Sequence, residues 1–230
     1  MIKLSICIPT YNRAPHLSNC LQSIISMRKP KDFQFEICIS DNASNDNTEE
    51  IVNNARKAIG INYNRNESNL GIARNFLKVV SMARGEFVWL IGDDDLLLPH
   101  TLDTLEVLFK NHKTVNFFYI NSYLLDKDYI FSFPQPFDIS KLPCKMDKFS
   151  LYEKSQELNF FELINPKVSF DFLGGMFLSV FKKENWDQNL HVLNDIATED
   201  LNEFSHFDNT FPHIKVFANA FKNSKAYFNS

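Results

Sequence analysis

Glycine is scarce, six in 230 residues, and none of the six builds the two motifs by which open α/β proteins most often hold phosphates. Neither G-x-G-x-x-G nor G-x-x-x-x-G-K-[ST] follows any apolar run, so hydride transfer on a dinucleotide and P-loop NTP hydrolysis lose their main support. A G-x-S-x-G elbow, an H-E-x-x-H pair and a Cys/His set with zinc spacing are also missing, which sets aside serine hydrolase and zinc protease chemistry. The four cysteines form no C-x-x-C pair, and three lie in or beside apolar runs where a reduced thiol behaves as a small hydrophobe, as expected in a reducing cytoplasm. No apolar stretch reaches the roughly 18 residues of a spanning helix, and MIKLSICIPT is too short and too strand-like for a signal peptide. Positive charge is not in excess, with 24 Lys and Arg against 28 Asp and Glu, so a nucleic-acid partner is not expected.

What is present suits a folded globular chain: 44% hydrophobic and 23% charged residues, and enough length for one full core. Residues 2 to 8 are a β-branched run stopped by Pro9, and residues 35 to 40, 61 to 64, 86 to 91 and 116 to 125 read as further strands. Between them, apolar residues at three- and four-residue steps predict helices over 16 to 27, from a cap at Asp46 or Thr48 to about 58, over 72 to 83 and over 102 to 109. This alternation predicts an α/β fold with an open, mostly parallel, doubly wound sheet covered by helices on both faces, in which ligands bind beyond the strands' carboxyl ends. Residues 126 to 150 read as an excursion around the sheet, 151 to 164 as helical, 170 to 181 as strand-like and 199 to 208 as helical. Of 23 Phe, 19 follow residue 100, either as core or as an apolar face toward an acceptor or a membrane surface.

Polar clusters follow the predicted strands. Asp93, Asp94 and Asp95 come directly after the fourth, and three adjacent carboxylates call for a divalent cation or a charged ligand; a solvated acidic turn is the alternative. Few hard oxygen ligands favour Mg²⁺ or Mn²⁺, which keep positions open for a diphosphate. Asp41 follows the second strand, where an acid often accepts hydrogen bonds from a nucleotide, and where Asp is also common as a turn residue. Asn69, Gly71, Arg74 and Asn75 lead into the third helix, whose N-terminus and arginine suit a phosphate or simply cap the helix.

In order and spacing, LSICIPTYNR at 4 to 13, ISDNASNDNT at 39 to 48, NLGIARN at 69 to 75 and GEFVWLIGDDDLLLP at 85 to 99 resemble the family-two nucleotide-sugar glycosyltransferases of the GT-A fold. ISDNAS together with GDDD gives the flavour of bacterial O-antigen and capsule transferases, abequosyltransferase-like enzymes among them. The resemblance implies that Pro9, Thr10, Tyr11 and Arg13 line the base and diphosphate pocket, that Asp41 reads the base edge, and that Asn69, Gly71 and Arg74 serve the phosphates. It places Asp93 near the donor ribose and Asp94 on the metal, with Asp95 the second metal candidate. Gly92 stands where the common D-x-D-D pattern has an acid. GGMFLSVFKKENW at 174 to 186 resembles the acceptor-side strand and turn, and TEDLNEF at 198 to 204 the late E-D motif. The catalytic base implied is Asp200, with Glu199 in reserve and Asp171 a third candidate.

The function expected from this resemblance is inverting transfer of a sugar from a nucleotide diphosphate sugar, a UDP-sugar foremost, to a hydroxyl of a glycan or lipid-linked acceptor, with Mn²⁺ or Mg²⁺. The enzyme would act in the cytoplasm or peripherally at the inner face of a bacterial inner membrane. Residues 1 to 125 are the expected donor half and 126 to 230 the acceptor half of one domain, shorter than many relatives and with a C-terminal segment either missing or naturally absent. Two rivals remain. A nucleotidyltransferase shares the sheet and acids but usually has a Gly-rich basic loop that PTYNRAP lacks, and a catalytically inactive sugar-binding relative would keep only the fold.

Overall fold

The computed structural model describes residues 1–168, 175–202 and 204–230. β1 (Leu4–Thr10), α1 (Ala14–Ser26), β2 (Phe35–Asp41), α2 (Thr48–Ala55), β3 (Ile61–Arg65), α3 (Ile72–Ser81), β4 (Phe87–Leu90), α4 (Thr101–Asn111) and β5 (Phe117–Ile120) alternate as predicted. β1 is buried on both faces: Leu4, Ile6 and Ile8 pack with Leu17 and Leu21 of α1, while Cys7 faces Val79 and Val80 of α3. β4 repeats the pattern, with Phe87 and Trp89 on one side and Val88 and Leu90 on the other. Two-sided burial is what makes these strands read as unbroken apolar runs rather than as alternating ones.

The later chain supplies α5 (Lys127–Phe131), β6 (Gln156–Asn159), β7 (Ser179–Lys182), α6 (Lys183–Asp187), α7 (Asp195–Glu199), α8 (Phe207–Thr210), α9 (Pro212–Ala220) and β8 (Lys225–Asn229). The eight strands described run in the order β3-β2-β1-β4-β7-β5-β8-β6. The first four are mutually parallel, β7 is antiparallel to both β4 and β5, β8 is parallel to β5, and β6 closes the edge antiparallel to β8.

Several local expectations fail. Residues 151 to 164 are not helical: β6 pairs with the free edge of β8 and a 3₁₀ segment, Phe160–Ile164, follows. Leu158 is the one buried residue of β6, so its pairing with β8 and not an apolar period sets the strand. Helix over 199 to 208 also fails, because α7 ends as Asp200 turns extended and its carboxylate accepts the Asn202 N–H, an Asx turn that competes with helix. The excursion over 126 to 150 contains α5, capped by Asp126. Of the strand expected over 170 to 181, residues 170 to 174 lie outside the described residues, Met176–Leu178 is a 3₁₀ turn, and β7 is the extended part. α9 and β8 were not expected at all. Among the described residues, nine of the seventeen late phenylalanines are buried core, Phe117, Phe118, Phe160, Phe181, Phe221 and Phe228 among them.

One polar network ties the strands together at their amino-terminal side. The buried Glu36 accepts the Ser5 hydroxyl at 2.7 Å, the Arg84 N–H at 2.6 Å and the Arg84 guanidinium at 2.7 Å. Gly85 donates to the same Ser5 oxygen, and a Cβ at Gly85 would stand 2.7 Å from the Ser5 nitrogen, so this close approach needs glycine. Burial pushes the Glu36 carboxyl up, but the bonds from Ser5 and Arg84 outweigh it and hold the group below its ordinary value. Glu36→Gln is therefore expected to cost about 1–3 kcal/mol at neutral pH in urea unfolding. A depressed carboxyl stabilises above its unfolded value and loses that contribution as pH falls through its folded one. The gap between wild type and variant should accordingly shrink on acidification below the ordinary glutamate range. A gap independent of pH would assign Glu36 a packing role only.

Candidate active site

The carboxyl ends of β1, β2 and β4 meet at one crevice. Thr10, the last residue of β1, donates to Asp93 Oδ2 at 2.7 Å, and Arg13 places Nε 3.1 Å from Asp93 Oδ1 and Nη2 2.6 Å from Asp94 Oδ2. Between them Asn12 takes a left-handed conformation (φ 52°), which asparagine tolerates. Its N–H donates to Ser44 Oγ and its side-chain oxygen accepts the Asn45 N–H, joining the PTYNR turn to the loop after β2. Pro9 is buried inside β1, whereas the Tyr11 side chain is exposed.

Asp41 is the register partner of Thr10. Its carboxylate is fully buried and accepts the Ser44 N–H at 2.8 Å and the Tyr63 hydroxyl at 2.7 Å, with Arg65 at 3.8 Å. Burial, and the Asp41 charge behind its hydroxyl, push the Tyr63 phenol up. Asn42 reaches from the same loop to Asn69 and the Gly71 carbonyl, and accepts the Leu70 N–H. Gly71 caps α3 at φ 81°, and the buried Asn75 of α3 bonds Ser40 and donates to the Thr10 carbonyl. Arg74, also on α3, pairs with Glu199 at 3.2 Å, which brings the late E-D stretch against the NLGIARN loop. Asp200 accepts the Ser205 hydroxyl at 2.6 Å and the Asn202 N–H at 2.9 Å, and these bonds hold its carboxyl below the ordinary range. Asp171 lies outside the described residues.

The aspartate turn carries more negative charge than its surroundings offset. Burial pushes Asp93 up to about 6, against the Thr10 hydroxyl and Arg13, and Asp95 up to about 7, against the Gly92 N–H that its carboxylate accepts at 2.7 Å. Among the described residues no three His, Cys, Asp or Glu side chains already form a group able to hold a metal ion. Two carboxylate oxygens do converge, since the point where a Cβ of Gly92 would stand is 2.7 Å from Asp94 Oδ1 and 3.2 Å from Asp95 Oδ2. Both oxygens thus lie beside the bare Gly92 backbone, and a pair of hard oxygens suits a cation that takes its other ligands from water and substrate. A side chain at 92, as in the commoner pattern, would require the Asp94 and Asp95 carboxylates to shift.

Asp94 and Asp95 also line a cavity of about 990 Å³. Trp89, Leu96, Leu124, Phe149 and Phe177 give it a mainly apolar wall, and Phe204 and Asn209 of the segment after Asp200 also line it. Tyr63, Arg65 and Asn209 escaped sequence reasoning. The first two cover Asp41 from an edge strand that reads as unremarkable, and Asn209 donates to the Asp200 and Asn202 carbonyls and to Ser205 Oγ across a loop with no sequence signature.

An open α/β sheet with this acid-lined crevice is the GT-A type of glycosyltransferase fold. Residues 1–349 of TarS from Staphylococcus aureus, solved in complex with UDP, superpose with a TM-score of 0.72 at 20% identity, covering all of this chain and 58% of that one. The chain belongs to glycosyl transferase family 2, whose family model matches residues 5–160. It is 47% identical over 105 residues to the abequosyltransferase RfbV of Salmonella typhimurium, a match covering 45% of this chain and 31% of the relative. It is 37% identical over 111 residues to the GalNAc(5)-diNAcBac-PP-undecaprenol beta-1,3-glucosyltransferase of Campylobacter jejuni, covering 46% and 34%. These matches thus span about a third of each relative's length. Among the described residues no helix is long and apolar enough to cross a membrane.

Proposed function

We propose that the protein transfers a sugar from a nucleotide diphosphate sugar to a hydroxyl of a glycan or lipid-linked acceptor in bacterial surface polysaccharide synthesis, with inversion at the anomeric carbon. It would work in the cytoplasm, in peripheral contact with the inner membrane where its acceptor is lipid-linked. The observation that carries this reading is the joining of Thr10, Arg13, Asp93 and Asp94 at the carboxyl ends of β1 and β4, in a chain of this family. A UDP-sugar is the donor of first choice, since the solved structural neighbour was captured with UDP. Asp41 and Tyr11 serve the base, Arg13 and Arg74 the diphosphate, and Asp93 the ribose. The mainly apolar cavity that Asp94 and Asp95 line receives the acceptor.

In the reaction, Asp200 takes the proton of the acceptor hydroxyl. That oxygen bonds to the anomeric carbon from the face opposite the diphosphate, as the bond from that carbon to the phosphate oxygen breaks. Its hydrogen bonds from Ser205 and Asn202 keep Asp200 ionised at neutral pH while moderating its basicity. Asp94 with Asp95 would hold Mn²⁺ or Mg²⁺, whose chemistry when bound is to neutralise charge growing on the leaving diphosphate. Calorimetric titration with a panel of nucleoside diphosphate sugars tests the reading. One donor should bind, and Asp41→Ala should weaken it about tenfold to a hundredfold, the worth of one or two hydrogen bonds to a charged group. A panel that binds nothing removes the donor reading. An Asp41→Ala protein that is less stable but binds the donor normally confines Asp41 to holding Tyr63 and the Ser44 turn.

A further inference from the structure

Arg13 is engaged in a way that its expected role at a diphosphate does not explain. Its guanidinium straddles two consecutive carboxylates, Nε on Asp93 and Nη2 on Asp94. The contact spans 81 residues of sequence and depends on the left-handed Asn12, which turns the chain between Thr10 and Arg13. Thr10 meets the oxygen of Asp93 that Arg13 leaves free, so the two residues flanking Tyr11 and Asn12 hold Asp93 from both sides. On Asp94 the division is equally definite: Oδ2 goes to Arg13, and Oδ1 is the oxygen that converges with Asp95 beside Gly92.

A guanidinium on Asp94 has two consequences for a cation approaching Oδ1. It draws on the same carboxylate charge, and it sets a fixed positive charge beside the incoming one. Arg13 is nonetheless only half-buried, so it can swing away without unpacking the core. We infer that Arg13 is the resident counter-ion of the aspartate turn, keeping Asp93 and Asp94 in place in the ligand-free protein and competing there with the divalent cation. This rests on the assignment of the cation to Asp94 and Asp95. Arg13 thus lowers the affinity for free metal ion, and removing its charge raises it.

Electron paramagnetic resonance titration with Mn²⁺ alone, without nucleotide, reads this directly. Arg13→Gln should bind Mn²⁺ about tenfold more tightly than wild type, while Arg13→Lys, which keeps the charge, should stay within about threefold. Adding Asp94→Asn to Arg13→Gln should abolish the gain. Wild-type protein offers a second measurement that needs no variant to fold: diamagnetic Mg²⁺ should shift the ¹⁵Nε resonance of Arg13 as the ion pair opens. Wild type that binds Mn²⁺ with Arg13→Gln no tighter, Arg13→Lys tightening as much as Arg13→Gln, or an unmoved Arg13 resonance in metal-bound protein each overturns the inference and leaves the metal assignment standing. A gain that survives Asp94→Asn overturns the inference and takes the cation off Asp94. Absence of Mn²⁺ binding in wild type and Arg13→Gln alike removes both.

Discussion

Asp94→Ala should abolish sugar transfer, with turnover down by about 10³-fold or more, in a protein that melts close to the wild-type temperature. The two halves of this expectation come from the same geometry. Asp94 is the exposed member of the aspartate turn, and its one strong partner is the similarly exposed Arg13. Such a pair contributes about 0–1 kcal/mol to folding, so its loss leaves the fold intact. Chemistry is expected to depend on it far more heavily, because Asp94 Oδ1 carries no hydrogen bond among the described residues, while Asp95 is turned back onto the Gly92 N–H. Mn²⁺-dependent donor affinity should vanish along with turnover. Turnover within tenfold of wild type, or donor affinity indifferent to chelator in the unaltered protein, would remove the metal from this turn.

Asp200→Asn should lower turnover by about a hundredfold or more with the donor Kd unchanged, the signature of a lost general base that does not touch the nucleotide. Asparagine nearly preserves the shape and keeps a side-chain oxygen for the Asn202 N–H or the Ser205 hydroxyl, so loss of the loop does not account for the expected fall. Glu199→Gln separates the neighbours. Its carboxylate pairs with Arg74, so its removal should change donor affinity through the freed arginine rather than the rate of the chemical step. Near-normal turnover in Asp200→Asn with loss in Glu199→Gln or Asp171→Asn moves the base to that residue and leaves the transferase reading in place. If none of the three changes affects transfer, the acceptor half of the proposal fails.

The alternation of β1 to β5 with α1 to α4 was legible because both periods and both kinds of end signal are local: an apolar run and its stop at Pro9, or a helical stripe and its cap near Thr48. The position of the aspartates at a strand's end was legible for the same reason. Legibility fell away after residue 120, where the helices shorten to between four and nine residues and the regular strand–helix alternation ends. β6 owes its form to the free edge of β8, and β7 owes its place to a slot between β4 and β5, neither of which is written nearby in the chain.

Within the crevice, the residue types and their order along the chain follow from the sequence alone: Thr10, Arg13, Asp41, Arg74, the three aspartates, and an E-D pair far downstream. Folding chose their partners. That Arg13 closes on Asp93 and Asp94 rather than projecting freely, that Arg74 meets Glu199, and that Asp41 is sealed under Tyr63 are outcomes of which strands lie side by side and which loops bend toward each other. The physical reason is that closing a loop costs entropy that grows only with the logarithm of its length, so distance along the chain barely discriminates among partners. Charge pairing in water is equally permissive, and it becomes selective only once burial and backbone geometry hold one carboxylate within reach of one cation.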